Sequence, residues 1–532
     1  MTKTVSGEEA LALGALSAGV NLVTGYPGSP SSGAFESFLP LADRHGLDIE
    51  WSSNERVALE VAIGASIAGN RALVCVKSVG MNVMLDTMMA LNLTPVNGGL
   101  VILLGDDPGG YGSQNDQDTR PLATMMEMPM IEPTTPSEAY QVIRDAYDLS
   151  EKENTVVIVR ITRSFGQSRS DVDFEEETIA GGGSGFTEEE YRFVPVPINV
   201  VEKHKELHRR IDRLQTWSDN STNNHIEGTG KFGIVGAGFA YEKLMEAGGS
   251  ELFNHARVFK LSTLFPLPES LLTKFLLSVD EVLILEETEP YLENQICSIA
   301  HRNQIRVRVR GSLDHTISRT GELFRWEIQN ALIDLLPQLP LPNSFGQETE
   351  QDEWPTIKNH CENCRYDELL DVLERTAEKE GLKSLFVADP GCFVSVANRL
   401  TAKYSMGSAV AVADGMVRSK VKGFPIAILG DSGFFHSSIP AICNATHNNR
   451  DLMIIVADNR KALASGGQSH PGSSTDTRGR EARELNIEEI SKACGVDHIS
   501  TVNLDDEEGK VSDTLIKAYG ESGVRLVRVL ID

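Results

Sequence analysis

The sequence lacks any apolar stretch long enough to cross a membrane. Apolar runs such as residues 101–104 and 452–457 have the length of a buried strand, whereas a membrane helix needs about 20 residues. The first residues, MTKTVSGEEALALGAL, contain no apolar run ending in a small-residue cleavage site and read as a capped helix, so a cytoplasmic location is expected. Cysteine is scarce, with seven in 532 residues. Without a secretory leader, that argues against a disulfide framework and leaves reduced thiols or metal ligands. Basic charge is short too: 49 Lys and Arg stand against 76 Asp and Glu, a net charge of −27. That balance argues against a nucleic-acid surface, so neither nucleic acid nor membrane is an expected partner.

What is present is a large α/β chain. Its length exceeds what one core organises, and a hydrophobic content of 41% with 23% charged residues is ordinary for a globular protein. Residues 1–170 alternate helical patterns with near-continuous apolar runs (GVNLVTG, RALVCVKS, GGLVILLGDD, TVVIVRIT), the pattern of a parallel sheet covered on both faces. Residues 171–229 are polar and read as a linker or surface excursion. A smaller α/β unit is expected at 230–341, a second linker at 342–355, and a third domain at 356–532. In that last domain the apolar runs end in Asp or Gly, placing polar groups at the carboxyl ends of parallel strands, the edge where open α/β sheets bind ligands.

The most specific chemistry is Gly430-Asp431-Ser432 at the end of one such run, with Asn459 28 positions after Asp431 at the end of the next. A carboxylate and an amide oxygen on neighbouring strand ends can hold an octahedral Mg²⁺ that also grips a diphosphate. A helix opening near residues 436–439 would add amide dipoles to the phosphates. His436 and His470 flank this loop and read either as proton-transfer or substrate groups or as hydrogen-bonded structural histidines. Glu55 reads as a first-turn helix carboxylate. Cys75, Cys297, Cys443 and Cys494 read as small core residues.

The segment GDSGFFHSSIP…IIVADNRKALASGGQSHPG resembles the diphosphate-binding domain of the thiamine-diphosphate-dependent 2-oxoacid:ferredoxin oxidoreductases, in particular the large subunit of the indolepyruvate branch. The loops GYPGSP (25–30) and SQNDQDTR (113–120), and LSTLFPLPESLL with VLILEETEPYLENQ in the centre, extend the likeness over nearly the whole chain. The resemblance implies two thiamine-diphosphate-binding-type parallel-sheet domains, pyrimidine side and diphosphate side, separated by a smaller transketolase-C-like α/β domain. It implies Mg²⁺ ligation by Asp431, Asn459 and the backbone carbonyl of Lys461, with Gly430, Ser432, Gly466 and Gly467 around the diphosphate, and Tyr26, Pro27 and Glu55 on the pyrimidine side. Glu55 is then the catalytic carboxylate, hydrogen-bonded to the aminopyrimidine so that its imino tautomer removes the thiazolium C2 proton. Lys77 and Arg120 are candidates for a substrate carboxylate or else solvated basic chains.

Cys361, Cys364 and Cys392 lie where relatives place iron–sulfur ligands, and one [4Fe–4S] cluster is a candidate there. The sequence ends at Val529-Leu530-Ile531-Asp532, where relatives supply a fourth Cys and a ferredoxin-like tail, so the tail clusters are expected to be absent. The expected activity is decarboxylation of an arylpyruvate-like 2-oxo acid with electrons passed to a partner. The alternative is a non-oxidative decarboxylase or carboligase releasing an aldehyde or acyloin. A homodimer, or a heteromer with a smaller oxidoreductase subunit, is the implied assembly.

Overall fold

The structure, a computed structural model, describes residues 2–174, 185, 186, 188–346 and 365–531. The chain divides into two compact units, Met1–Ile49 with Glu55–Pro355, and Glu50–Asn54 with Thr356–Asp532. The first domain and the central α/β domain expected from sequence thus share one unit.

In the first unit a seven-stranded sheet runs in the order Thr263–Phe265, Met130–Ile131, Val157–Thr162, Leu100–Asp106, Ala72–Lys77, Leu22–Gly25, Asp48–Trp51. Its central pairs are parallel, and Thr263–Phe265 closes one edge antiparallel. Leu100–Asp106 is buried along its whole length, as a strand covered by helices on both faces must be. The covering helices carry their own start and stop signals. Pro136–Glu153 begins at Thr135, whose hydroxyl accepts the Glu138 N–H, has Pro136 in its first turn, and ends at Asn154 in the left-handed conformation.

A five-stranded sheet in the same unit has the order Arg308–Arg310, Glu281–Leu285, Phe232–Ala237, Arg257–Leu261, His225–Gly228. It shares a continuous core with the larger sheet, in which Val235, Phe259 and Phe275 pack with Met126, Met130 and Leu264. That shared core is why the two expected domains form one body. Buried ion pairs join the same region. Arg160 donates to Asp106 (2.8 Å) and to Glu132, and Lys243 lies 2.7 Å from Glu287 and 2.8 Å from Glu322.

The stretch expected to be a linker, 171–229, is largely structured where described. Arg169–Asp173 pairs antiparallel with Thr2–Ser6, and Val200–Asn220 is a 21-residue helix. Its polar sequence carries one packed face: Leu207, Leu214 and Ser218 are buried, Ile211 and Trp217 half-buried, and Arg210 donates to the carbonyls of Asn92 and Asn154. Leu207, Ile211, Leu214 and Trp217 recur at i, i+4, i+7 and i+10, a helical period that the charged residues around it mask when the stretch is read by composition.

The second unit is a six-stranded, all-parallel sheet in the order Ala402–Lys403, Ser384–Ala388, Phe424–Gly430, Leu452–Asp458, Val524–Leu530, His498–Asn503. Alternate side chains feed two cores: Ile426 and Ile428 face one side with Leu373 and Phe386, Ala427 and Leu429 the other with Val410 and Ile442. The architecture is α/β, as expected. No helix among the described residues is long and apolar enough to cross a membrane.

One buried carboxyl in the first unit makes stability depend on pH. Glu8, in the first turn of the helix Gly7–Ser17, has its carboxyl against Gly33 and Gly166, and burial with the nearby charges of Glu36 and Glu9 pushes its pKa up to about 7. Unfolded, a glutamate titrates near about 4.3. Between those values the native state holds the extra proton, so this contribution is complete at the acid end and is lost as pH rises towards 7. Glu8→Gln keeps the uncharged shape at all pH. It is expected to match wild type near pH 4.5 and to exceed it at pH 8 by about 1–3 kcal/mol, read from urea midpoints of the first unit at both pH values.

Candidate functional site

In the first unit, the candidate residues gather at the carboxyl edge of the large sheet. Tyr26 and Pro27 follow the strand Leu22–Gly25, and Lys77 ends the neighbouring strand Ala72–Lys77. Glu55 opens the helix Glu55–Ile67 and is buried, its side chain pressed against Gly80. A Cβ at position 80 would sit 2.6 Å from Glu55 Cγ, so only glycine lets this carboxylate take its place. Lys77 Nζ donates to the Gly112 carbonyl at 2.9 Å, in the loop whose Gly112 N–H and Ser113 hydroxyl are held by Asp107 Oδ2. Burial pulls the Lys77 pKa down, against the opposing pull of Asp107 and Glu55. An ammonium at a buried strand end beside two carboxylates is a group poised to meet an anionic ligand.

Arg120 has a different use from the expected one. It is 1% exposed, forks onto Asp118 through Nε and Nη2, donates from Nη1 to Glu286 Oε2 at 2.6 Å and from Nη2 to the Glu289 carbonyl, and lies over the Tyr291 ring. Its fixed fork fastens the segment 113–120 to the central sheet.

In the second unit, Gly430 ends the strand Phe424–Gly430, and Asp431 and Ser432 start the next turn. The neighbouring parallel strand Leu452–Asp458 delivers Asn459. Arg460 takes a left-handed φ of 61°, and the chain then turns so that Lys461 N–H donates to Asn459 Oδ1 at 3.2 Å. Gly466 and Gly467, with φ of 124° and 86°, close the following tight loop, in which Ala462 N–H donates to the Gln468 carbonyl. His470 then reaches back: its Nδ1 accepts from Gly472 N–H, and its Nε2 lies 3.1 Å from Asp431 Oδ2. Both atoms are buried and neither forms an aligned hydrogen bond. Asp431 Oδ1, by contrast, accepts the Ser432 N–H at 2.8 Å. His436 lies in a turn of π-helix, Phe434–Ser438, with Nδ1 2.7 Å from the Ser437 hydroxyl.

Two carboxylates around this site were not singled out from sequence. Asp458, 2.6 Å from Arg528 Nε, has its pKa raised by burial and by Asp431 beside it. Asp389 accepts the N–H groups of Gly407 and Ala409, fixing the start of the helix Ser408–Arg418, and burial pushes its pKa up to about 6. The strand-end position of both aspartates was visible, their partners were not. Of the proposed cluster ligands, Cys392 is 7% exposed, while Cys361 and Cys364 lie outside the described residues. Cys75 is buried as expected, but Cys297 and Cys443 are exposed, each on a helix flank rather than in the core.

Comparison with known proteins identifies the family. Residues 13–219 match the family described as pyruvate flavodoxin/ferredoxin oxidoreductase, thiamine diP-binding, and residues 390–529 match the C-terminal TPP-binding domain of thiamine pyrophosphate enzymes. Indolepyruvate oxidoreductase subunit IorA of Methanothermobacter thermautotrophicus is 32% identical over 538 residues, covering 98% of this chain and 85% of the relative. IorA of Pyrococcus abyssi is 33% identical over 551 residues, covering 98% and 84%. A solved 2-oxoglutarate:ferredoxin oxidoreductase from Magnetococcus marinus aligns at a TM-score of 0.47 and 14% identity over 63% of this chain and 65% of that one, too distant to place a residue. By this full-length likeness, the chain belongs to the family of indolepyruvate oxidoreductase subunit IorA, thiamine-diphosphate-dependent 2-oxoacid oxidoreductases.

Proposed function

We propose that this chain is the subunit that decarboxylates an arylpyruvate-like 2-oxo acid, working as a homodimer or beside a smaller oxidoreductase subunit that takes the electrons. The observation that carries the reading is Asp431 Oδ2, a buried carboxylate oxygen without an aligned hydrogen bond, on a strand end next to the one that delivers Asn459. Its neighbours are His470 Nε2 at 3.1 Å and the carboxylate of Asp458, and a hard cation is the group that would best satisfy a carboxylate so placed. The donor set fits Mg²⁺: the Asp431 carboxylate, the Asn459 amide oxygen and the Lys461 carbonyl are all oxygen ligands, and the remaining positions suit water and diphosphate. Gly430, Gly466 and Gly467, with Ser432, would hold the diphosphate through their backbone and the Ser432 hydroxyl. When bound, thiamine diphosphate supplies the electron sink that a decarboxylation requires.

The chain's own groups do the rest. Glu55, buried against Gly80, is in this reading the carboxylate that exchanges a proton with the aminopyrimidine, beside Tyr26 and Pro27 on the pyrimidine-side domain formed by residues 1–170. Lys77, whose pKa burial lowers against the pull of Asp107 and Glu55, is in this reading the group that holds the substrate carboxylate. His470 and His436 hold or move protons on the diphosphate side. Cys392, with Cys361 and Cys364, is proposed to bind one [4Fe–4S] cluster.

The test is an anaerobic assay of a panel of 2-oxo acids with thiamine diphosphate and Mg²⁺, with and without a viologen acceptor, following CO₂ and reduced dye. Acceptor-dependent CO₂ release that favours arylpyruvates is expected, with iron retained by the purified chain. Aldehyde or acyloin formed without an acceptor would overturn the oxidative reading. Glu55→Gln is expected to lower turnover by about 10²–10⁴-fold with cofactor affinity little changed. An equal loss of cofactor affinity would assign Glu55 to binding instead.

A further inference from the structure

Away from the strand-end groups, the long helix of the first unit carries a constellation that the cofactor chemistry does not use. His204 and His208 stand one turn apart on Val200–Asn220 and face Glu127, the left-handed residue (φ 53°) that closes the helix Arg120–Met126. Glu127 Oε2 lies 3.7 Å from His204 Nε2, and Oε1 lies 3.3 Å from His208 Nε2. The imidazole centroids are 4.4 Å apart, and one ligand atom from each of the three residues falls within 4.8 Å of the others. Neither carboxylate distance is that of a well-formed hydrogen bond. Both are close to the separation of two ligands around a tetrahedral ion: bonds of about 2.0–2.1 Å put neighbouring ligands about 3.3–3.4 Å apart.

The surroundings favour a cation. Most of the helix's other charged side chains have partners elsewhere: Lys205 with Glu202, Arg209 with Glu206 and Glu202, Arg213 with Glu206 and with Glu153 of Pro136–Glu153, and Lys203 with the Arg192 carbonyl. Arg210, whose charge Glu127 also feels, directs its guanidinium into the carbonyls of Asn92 and Asn154. The imidazoles are half-exposed, so an ion can enter and keep a water ligand.

We propose that Glu127, His204 and His208 form a binding site for a divalent transition-metal cation of the Zn²⁺ class, completed by water, which clasps Val200–Asn220 to the end of Arg120–Met126. Two imidazoles at i and i+4 form a chelate on one helix face, and the carboxylate from a second element adds charge and fixes position. Nitrogen ligands select Zn²⁺, Ni²⁺ or Cu²⁺ over Mg²⁺, so this site does not compete for the ion that the diphosphate needs.

The test uses the full chain loaded with thiamine diphosphate and Mg²⁺, titrated with Zn²⁺ against a chromophoric chelator. Because thiols in general bind zinc, the quantity read is the difference between wild type and His204→Ala/His208→Ala, substitutions at exposed positions. The double variant is expected to bind one equivalent fewer and to lose the zinc-induced rise in melting temperature. Glu127→Gln is expected to keep that equivalent but bind it at least about tenfold more weakly. Co²⁺ in place of Zn²⁺ should give a visible band without thiolate charge transfer that disappears in the double variant. An unchanged metal count in the double variant, an unchanged affinity in Glu127→Gln, or only a thiolate-type cobalt spectrum overturns the proposal.

Discussion

Asp431→Asn is expected to bind thiamine diphosphate with Mg²⁺ more than about 100-fold more weakly than wild type, while the second unit becomes more stable without cofactor. The first effect follows from removing a charged ligand. Outer partners of a metal site are worth 10–100-fold in affinity, and a direct ligand to a hard cation is worth more. The second follows from the site's own geometry. Asp431 Oδ2 is buried without an aligned hydrogen bond, and Asp458, pushed up by burial and by Asp431, shares its surroundings. An amide at 431 removes one of two adjacent negative charges, so the free protein gains about 1 kcal/mol. Calorimetric titration gives the affinity, and denaturation of the cofactor-free chain gives the stability. Undiminished affinity would remove Asp431 from the metal site. A stability change without an affinity change would make it a structural residue only. This opposition between cofactor binding and the stability of the free fold is what a ligand-ready site is expected to show.

Lys243→Met is expected to destabilise the first unit by about 3–5 kcal/mol, although position 243 lies outside the proposed site. The ammonium is fully buried, and its three protons have three acceptors, Glu287 Oε1 at 2.7 Å, Glu322 Oε1 at 2.8 Å and the Leu323 carbonyl at 2.8 Å. Methionine matches the volume and removes the charge, leaving two buried carboxylates facing each other. One of them must then take up a proton, so the deficit shrinks as pH falls from 8 to 5, the same direction as the effect of Glu8 on the wild type. Lys243→Met combined with Glu287→Gln and Glu322→Gln should recover most of the loss, because the cost lies in uncompensated charge rather than in shape. Urea titrations of the three proteins at both pH values separate these outcomes. A single variant as stable as wild type would show that water reaches the cluster.

The parallel sheets were legible because a strand buried on both faces leaves an unbroken apolar run, as in residues 100–104 and 452–457. The strand-end groups were legible for a related reason: Asp431 and Asn459 interrupt those runs at the edge where polar side chains have a use. What stayed hidden depends on pairing between distant positions. Arg160 meets Asp106 and Glu132, and Arg120 meets Glu286, across tens to more than a hundred residues, and no local period signals such contacts. For that reason the burial of Arg120 and its pairing with Asp118 and Glu286 could not be read from the sequence. The helix Val200–Asn220 was missed although its period was present, since Leu207, Ile211, Leu214 and Trp217 mark a packed face within a composition that otherwise reads as a linker. His204 and His208 were visible as a four-residue repeat, but without the helix that repeat had no geometric meaning.

The π-helical turn at Phe434–Ser438 bears on how the helix that follows it evolved. Such a turn is what an α-helix adopts when it absorbs one inserted residue. Here it works as a phase shifter: Ile442 and Ala445 stay locked against the sheet, while the stretch holding Asp431 to His436 is set at its own angle. Excising a single residue from 434–438 would turn that stretch by about 100° relative to Ile442 and Ala445, so an indel of one codon would dismantle the phosphate-side edge and leave the hydrophobic layer intact.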